Sequence, residues 1–217
     1  MNFFKITASV AVLASLAACG GSSGNVDMAP TAPVAPSVPT GYAQVEARGV
    51  SLANTYGAAI NRGAYTNLAT LPTTGSARFS GAGAYVLGGD DVLSGQSIQD
   101  NADAISRIDM QVRLTDGRVT GRASEFYETE TRTPIGGTLA LAGSLDRSAD
   151  LDSEFGINGT ANGTLRSATL GTVQVESTLV ADIYGTNGRF VTGFMDGSAD
   201  TGAGTDRVQG AFIAARN

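Results

Sequence analysis

The 217-residue sequence contains no histidine, no tryptophan and a single cysteine. The absence of histidine removes the commonest general base and the commonest side-chain metal ligand. A single cysteine excludes an intramolecular disulfide and any metal site built from several cysteines. We therefore expect neither a disulfide-stapled fold nor a catalytic or metal centre built on histidine or cysteine.

Lysine is also nearly absent, since Lys5 is the only one, and the formal net charge is −6. Removal of residues 1–18 would take Lys5 away and change the net charge to −6 − 1 = −7. An acidic chain of this kind is a poor partner for nucleic acid and for anionic lipid. The hydrophobic content of 42% still allows a packed core, so the composition does not indicate disorder.

The one cysteine, Cys19, follows an apolar segment that runs from about residue 6 to residue 16. With a basic residue before it and small residues after it, this segment has the layout of a secretory signal peptide and is too short to span a bilayer as a helix. Residues 16–20, LAACG, resemble the lipobox of bacterial lipoproteins, in which the first mature residue is a lipidated cysteine. We predict a signal peptide at residues 1–18 and lipid attachment, palmitate included, at Cys19. The alternative is a cleaved signal followed by an unmodified, buried cysteine.

Residues 19–41 form a predicted linker rich in glycine, serine and proline. Prolines at positions 30, 33, 36 and 39 recur every three residues, which favours polyproline II and a semi-rigid tether reaching up to about 60 Å. Gly20 follows the cysteine where aspartate would be the retention signal, and the resemblance to Gram-negative lipoproteins therefore implies the outer membrane. Simple disorder, without a spacer role, is compatible with the same sequence.

Residues 42–72 carry a weaker pattern. Four residues in this stretch are spaced three or four positions apart, which indicates a helix, namely Leu52, Tyr56, Ala59 and Ile60. Two glycines in the same stretch weaken that helix, Gly49 and Gly57. We expect an irregular or short helical segment here, or a plug against the domain that follows.

From residue 73 onward the apolar residues recur with a period of two. Residues 105–114, ISRIDMQVRL, alternate apolar and polar side chains, and the Asp116-Gly117 pair that follows is a strong hairpin signal. Similar patterns predict further strands, with no helix among them, near 76–87, 118–126, 138–146, 155–166, 172–184, 189–198 and 206–215. Eight consecutive strands joined by short turns predict an all-β domain at residues 73–217, an eight-stranded antiparallel up-and-down barrel, because closure removes the free edges.

Glycine supports the barrel prediction. All 29 glycines follow residue 18, and several lie inside predicted strands, where they mark bends and close approaches, namely Gly81, Gly83, Gly121, Gly143, Gly193 and Gly210. A two-sheet sandwich is the alternative fold. A barrel inside the membrane is disfavoured, because such barrels carry aromatic girdles and aromatic residues make up only 6% of this chain.

Two stretches resemble the barrel domains of transferrin-binding protein B and its relatives. Residues 71–87, LPTTGSARFSGAGAYVL, are similar to the entry strand of those barrels, and residues 182–216 are similar to their closing strands. The matching residues of the second stretch are Ile183, Tyr184, Gly185, Gly193, Phe194, Gly210, Phe212, Ala214 and Arg216. The sequence departs from the family pattern where GRFVTG replaces the usual LGG, and where the loop 196–206 is rich in glycine and aspartate.

The resemblance implies a lipid-anchored protein of the outer membrane, displayed on the cell surface, that binds a protein or a small nutrient through the loops at one end of its barrel. It also implies an outer-membrane translocator as a partner. The resemblance does not imply that this chain binds transferrin, and it identifies no ligand-contact residue. The alternative function is a structural or assembly lipoprotein that faces the periplasm.

Carboxylates are the remaining candidates for catalysis. The cluster EFYETE contains Glu125, Glu128 and Glu130, and a second cluster, DRSADLDSE, follows at residues 146–154. Both fall at strand ends or in loops, where we interpret the charges as solvated. We predict that the protein is not an enzyme and needs no cofactor.

Two acidic loops are candidates for an interaction surface. Asp196, Asp200 and Asp206 lie in the glycine-rich stretch DGSADTGAGTD, whose spacing does not match a calcium-binding EF-hand loop, so we favour a solvated hairpin loop without a metal. Asp90 and Asp91 lie in the other loop, at residues 88–104. If the two loops are neighbours in space, they form the best candidate for the binding surface.

Overall fold

The computed structural model describes residues 40–88, 93–151 and 154–217. Its helical elements are α1 at Thr40–Asn61, a 3₁₀ turn at Leu68–Thr70 and α2 at Gly95–Asp100. Its strands are β1 at Ser76–Leu87, β2 at Ala104–Arg113, β3 at Arg118–Glu128, β4 at Pro134–Leu145, β5 at Ile157–Ser167, β6 at Gly171–Tyr184, β7 at Phe190–Asp200 and β8 at Thr205–Arg216. The predicted signal peptide, Cys19, Asp90 and Asp91 lie outside the described residues.

The eight strands form one closed antiparallel barrel, in which each strand pairs with the next and β8 pairs with β1. The closing register aligns Phe79 with Arg216 and Leu87 with Val208. The predicted eight-stranded up-and-down barrel is confirmed, and the strands lie close to their predicted positions. Because the barrel is closed, neither β1 nor β8 keeps a free edge.

The prediction that no helix lies among the strands is wrong, because α2 lies between β1 and β2. The Ser94 hydroxyl caps this helix by accepting a hydrogen bond from the Ser97 amide at 3.1 Å, and Ile98 is its buried apolar side chain. Six residues with one such anchor are too few to show a helical period in the sequence. The strand predicted to start at residue 138 instead starts at Pro134, because the glycine pair at 136–137, which reads as a turn, pairs with β5.

Alternation decides which side chains fill the barrel. In β2, Ile108, Met110 and Val112 are buried, whereas Arg107 and Arg113 face solvent. The inward-facing apolar residues of all eight strands form one continuous core. The period of two in the sequence therefore reflects the alternation between side chains that face the interior of the barrel and side chains that face solvent.

Close strand approaches explain why glycine recurs inside the strands. A Cβ atom on Gly121 would lie 2.4 Å from the carbonyl oxygen of Asp109 on β2, and one on Gly193 would lie 2.4 Å from that of Val180 on β6. Both distances are far below van der Waals contact, so a side chain at either position would push two strands apart. The interpretation of these glycines as sites of close approach is confirmed.

Helix α1 lies on the outer surface of the barrel, against β1, β2 and β8. The ring of Tyr56 stacks on that of Phe190, which stacks in turn on Tyr184, with centroid distances of 4.2 and 5.0 Å. The helix is far longer than the short one expected from the sequence, and it begins at Thr40, inside the predicted linker. None of the helices in the described ranges combines the length and the apolar character that crossing a membrane requires.

Gly57→Ala in α1 is expected to raise the free energy of unfolding by about 0.5–1 kcal/mol, because alanine has the higher helix propensity. A Cβ atom at Gly57 would have no other atom within 4 Å, apart from those of its own helix turn. Gly49→Ala is the matched control, since a Cβ there would lie 3.3 Å from that of Ala82 on β1, and we expect a smaller gain or a loss. Urea unfolding measures both. Equal gains would contradict the close approach of Gly49 to Ala82.

Candidate functional site

The two ends of the barrel carry different connections. One end carries the β1–β2, β3–β4, β5–β6 and β7–β8 connections, and we call it the open end. The opposite end carries the β2–β3, β4–β5 and β6–β7 connections, together with the segment 62–75 that leads from α1 to β1, and we call it the closed end. Their contrast defines the candidate site.

The closed end is filled by the segment between α1 and β1. Leu68 and Leu71 are 3% and 6% exposed and belong to the barrel core. The guanidinium of Arg147, in the β4–β5 connection, donates hydrogen bonds to the carbonyl oxygens of Leu68, Leu71, Pro72 and Leu114, at 3.2, 2.9, 2.6 and 3.1 Å. One side chain thus ties three chain segments together across this end.

The open end leads into a cavity of about 390 Å³ inside the barrel. Two buried rings line it, those of Tyr85 and Phe126, with their centroids 5.3 Å apart. The Tyr85 hydroxyl is satisfied by a 2.8 Å hydrogen bond with Ser106, and burial raises the pKa of Tyr85 well above its ordinary value. The other walls are mostly aliphatic and include Leu139, Leu165, Val173, Val175, Ala199 and Val208. Volumes and linings of this kind are typical of small-molecule sites.

One carboxylate lies among these apolar walls. Glu128, at the end of β3, is half-buried and accepts hydrogen bonds from the hydroxyls of Thr131, Ser167 and Thr169, at 2.7, 2.9 and 3.1 Å. The bond from Thr131, followed by that from Ser167, holds the pKa of Glu128 below its ordinary value, so the side chain is ionised at neutral pH. None of the salt bridges formed within residues 40–88, 93–151 and 154–217 involves Glu128.

A β-bulge in β3 turns Glu128 inward. The register between β3 and β4 shifts between Ala123 and Phe126, and Glu125 has a positive φ of 53°. Strict alternation after Val119 and Ala123 would place residues 125 and 127 inside, but the extra residue of the bulge places Phe126 and Glu128 there instead. The sequence interpretation of Glu128 as a solvated charge missed this, because a glutamate gives no sequence signal for a positive φ.

Two further carboxylates stand at the rim of the cavity. Asp103 directly precedes Ala104, the strand partner of Glu128, and its carboxylate accepts a 2.8 Å hydrogen bond from the Leu87 amide. Glu130 lies in the β3–β4 connection and is exposed. All three carboxylates line the cavity, and no described residue of the lining is basic.

The predicted interaction residues Asp196, Asp200 and Asp206 lie on the β7–β8 hairpin, towards the open end. The carboxylate of Asp196 pairs with the Arg207 guanidinium at 2.8 and 2.7 Å, which lowers the pKa of Asp196. Asp200 accepts a 2.8 Å hydrogen bond from the Gly202 amide, and Asp206 is exposed. Their role in binding stays a prediction. In the part of the chain that the structure describes, no three acidic, histidine or cysteine side chains group to hold a metal ion.

The two acidic loops are neighbours where the structure describes them. The Gly88 amide donates a 2.7 Å hydrogen bond to the carbonyl oxygen of Arg207, and the Leu93 amide donates a 2.8 Å bond to the side chain of Gln209. Two residues of the loop 88–104, Gly88 and Leu93, therefore contact β8, which follows the other loop. A joint interaction surface of the two loops stays a prediction, since Asp90 and Asp91 lie outside the described residues.

A second cavity, of about 560 Å³, lies outside the barrel wall between α1, α2 and strands β1 and β8. Small residues such as Gly49 and Ala82 line it, so the helix and the barrel meet there without filling the space. The side-chain oxygen of Gln96 is buried at its edge with no hydrogen-bond partner among the described residues, while the Gln96 amide nitrogen donates to Asp100 at 2.7 Å. The lining of this second cavity mixes apolar side chains with polar ones such as Glu46, Asn54 and Gln99.

The structure therefore defines a small closed eight-stranded β-barrel, as the sequence resemblance implies. One end of this barrel is filled and the other leads into a cavity. Among solved structures, a double mutant of transferrin-binding protein B from Haemophilus parasuis matches with 14% identity and a TM-score of 0.43, covering 70% of this chain and 28% of that chain. A single mutant of the same protein matches with 15% identity and a TM-score of 0.44, covering 70% and 29%. Transferrin-binding protein B from Neisseria meningitidis matches with 13% identity and a TM-score of 0.40, covering 67% and 26%.

The likeness to these structures concerns the fold alone. The chain spans less than a third of the length of each of the three proteins. Neither the family models nor the curated proteins give a match to this chain.

Proposed function

We propose that this chain is an outer-membrane lipoprotein that binds a small apolar ligand, such as a nutrient molecule, in the open end of its barrel. The observation that carries the proposal is the contrast between the two ends. Leu68, Leu71 and Arg147 fill and tie the closed end, whereas the open end leads into the 390 Å³ cavity. An eight-stranded barrel either fills its interior with side chains or holds one small ligand. In this barrel the closed half is filled and the open half leaves room for a ligand.

A protein ligand that presents an apolar side chain would use the same entrance. Leu170, at the tip of the β5–β6 connection, lines the cavity and is 45% exposed, so it would be among the first residues touched. The acidic side chains of the β7–β8 hairpin would then face the bound protein. We propose binding rather than catalysis, because the walls are mostly apolar and hydrogen bonds from three neutral hydroxyls hold the half-buried Glu128 carboxylate as a fixed charge.

We further propose that lipid on Cys19 anchors the barrel to the membrane through the proline-rich linker at residues 19–41. The lipobox resemblance of residues 16–20 supports the anchor, and display on the cell surface would require an outer-membrane translocator as a partner. The alternative is a structural or assembly lipoprotein on the periplasmic face. Protease treatment of intact cells separates the two, with lysed cells as the control. Cleavage in intact cells supports surface display, and protection until lysis supports the periplasmic alternative.

Cys19→Ser is expected to release the protein from the membrane fraction, because only a thiol forms the thioether that carries the lipid. The melting temperature of the barrel is expected to stay the same, since residue 19 precedes the fold by more than twenty residues. Fractionation after a salt wash and circular dichroism measure the two effects. A variant that still sediments with membranes would show that the anchor lies elsewhere.

Ala199→Phe is expected to weaken ligand binding at the open end. Ala199 is 0% exposed and lines the cavity, so a phenyl ring at this position occupies the space a ligand would use. The affinity for N-phenyl-1-naphthylamine, a neutral dye that fluoresces on leaving water, is expected to fall by at least about tenfold. Ala140→Phe adds the same ring to the exposed outer face of β4 and is the matched control. Equal dye binding by wild type and both variants would rule out the proposed site.

A further inference from the structure

We infer that the open-end cavity selects ligands that carry a positive charge on an apolar chain, such as a primary alkylamine, because the ionised carboxylate of Glu128 stands among apolar walls without a cationic partner in the described residues. The inference rests on the proposed function and adds the charge of the ligand to it. Three observations carry it, namely the position of Glu128, the placement of the arginines and the arrangement of the walls.

Glu128 lies within the opening rather than on the outer surface. Its side chain extends from the end of β3, past the neighbouring strand β4, to the hydroxyls of Ser167 at the end of β5 and Thr169 in the β5–β6 connection. These hydroxyls and that of Thr131 are neutral donors, so they orient the carboxylate without cancelling its charge. Because Glu128 is half-buried, water screens its charge less than that of a fully exposed carboxylate, which strengthens its attraction for a cation.

The described arginines near this end of the barrel do not line the cavity. Arg207 pairs with Asp196, the guanidinium of Arg132 lies 5.4 Å from the centre of the Tyr42 ring, and Arg166 is exposed on β5. The two rim carboxylates described above add to the charge of Glu128. The opening therefore has a negative potential, which attracts a cationic ligand and repels an anionic one.

The charge lies near the entrance of the cavity, and the apolar walls continue behind it. Glu128 is the last residue of β3 and lies near the rim, whereas Tyr85 and Phe126 are buried further inside. An alkylamine fits this arrangement with its chain against the inner walls and its ammonium group beside the carboxylate. A carboxylate ligand of the same length would bring two negative charges together at the rim.

The test compares three ligands with the same eight-carbon chain, which are octylamine, octanol and octanoate, by isothermal titration calorimetry at neutral pH. We expect wild type to bind octylamine about tenfold more tightly than octanol, as a charge-assisted hydrogen bond would provide, and octanoate most weakly. The preference for octylamine is expected to shrink as salt is added, because salt screens partly exposed charges.

Glu128→Gln is expected to remove the preference for octylamine and to leave octanol binding nearly unchanged. Glu176→Gln is the matched control, since Glu176 lies on the exposed outer face of β6 and its replacement removes the same charge. This control is expected to keep the wild-type preference. If Glu128 only held the loops in place, its replacement would instead weaken the binding of all three ligands by the same factor and lower the melting temperature.

Four results would overturn the inference: equal binding of octylamine and octanol by wild type, a Glu128→Gln variant that keeps the preference, a parallel loss for all three ligands, or an equal effect of Glu176→Gln. Each of them leaves the apolar site of the proposed function standing. If wild type binds none of the three ligands, the proposed function fails as well. The wild-type comparison needs no variant, so it decides the question even if Glu128→Gln does not fold.

Discussion

Arg147→Ala is expected to lower the free energy of unfolding by about 3 kcal/mol, the largest loss that we expect from one surface-accessible side chain. The guanidinium donates to four carbonyl oxygens on two segments outside its own connection, at 2.6 to 3.2 Å. Alanine would remove three hydrogen bonds to partly buried carbonyl groups, those of Leu68, Leu71 and Leu114, and an unpaired buried acceptor is the costly way to lose a hydrogen bond. The segment carrying Leu68 and Leu71 would then keep its apolar contacts and the backbone hydrogen bonds near its ends, such as that from the Thr66 amide to the Ile183 carbonyl oxygen.

Two further variants make the Arg147 prediction specific. Arg147→Lys is expected to lower the free energy of unfolding by an intermediate amount, because one ammonium group cannot reach all four acceptors that the planar guanidinium reaches. Arg166→Ala removes an exposed arginine from the outer face of β5 and is expected to change stability by less than about 0.5 kcal/mol. Urea unfolding measures all three variants. Equal effects of the two alanine substitutions would show that the closed end is not held by Arg147.

Asp182→Asn is expected to stabilise the protein at neutral pH by about 1–2 kcal/mol. The side chain of Asp182, on β6, is 6% exposed and accepts a 3.0 Å hydrogen bond from the Gly156 amide. Burial raises the pKa of Asp182 to about 6, against an ordinary value of 3.8, and the Gly156 hydrogen bond offsets only part of this. Asparagine keeps an oxygen that accepts from Gly156 and carries no charge to desolvate, although its own amide hydrogens need partners.

The sign of the pH dependence follows from the raised pKa of Asp182. The folded state binds the Asp182 proton more tightly than the unfolded state, so the contribution of Asp182 to the free energy of unfolding should fall as the pH rises from about 4 to about 6 and then level off. Asp182→Asn should remove this fall, whereas Asp206→Asn, which removes an exposed carboxylate, should keep it. Urea unfolding across this pH range measures all three proteins. Parallel profiles for wild type and Asp182→Asn would contradict the burial of an ionised Asp182.

The barrel could be predicted because each strand and each tight turn is encoded by a short stretch of sequence. Alternating residues such as those of β2, and turn pairs such as Asp116-Gly117, each specify a strand or a hairpin over a few residues. Closure then follows from the need to remove free edges. The interior glycines, of which Gly193 is an example, added a second local signal, because their missing side chains mark places where strands approach closely.

The candidate site could not be predicted, because it depends on features that no local pattern encodes. The inward direction of Glu128 results from a bulge at Glu125, a residue type that seldom adopts a positive φ. Arg147 binds carbonyl groups of residues 68, 71, 72 and 114, and a carbonyl group has no sequence signature. The cavity is a difference between the volume that eight strands enclose and the volume that their side chains fill. That difference appears only when the whole register is known.

A methyl NMR titration with N-phenyl-1-naphthylamine tests most directly the central claim, which is that the open end of the barrel is the ligand site. The predicted result is a set of saturable shift changes at Val175 and Ala199, which line the cavity, with none at Leu71 in the closed end. Changes confined to Leu71, or to Val45 and Ile213 in the cavity beneath α1, would contradict the claim and place the ligand elsewhere.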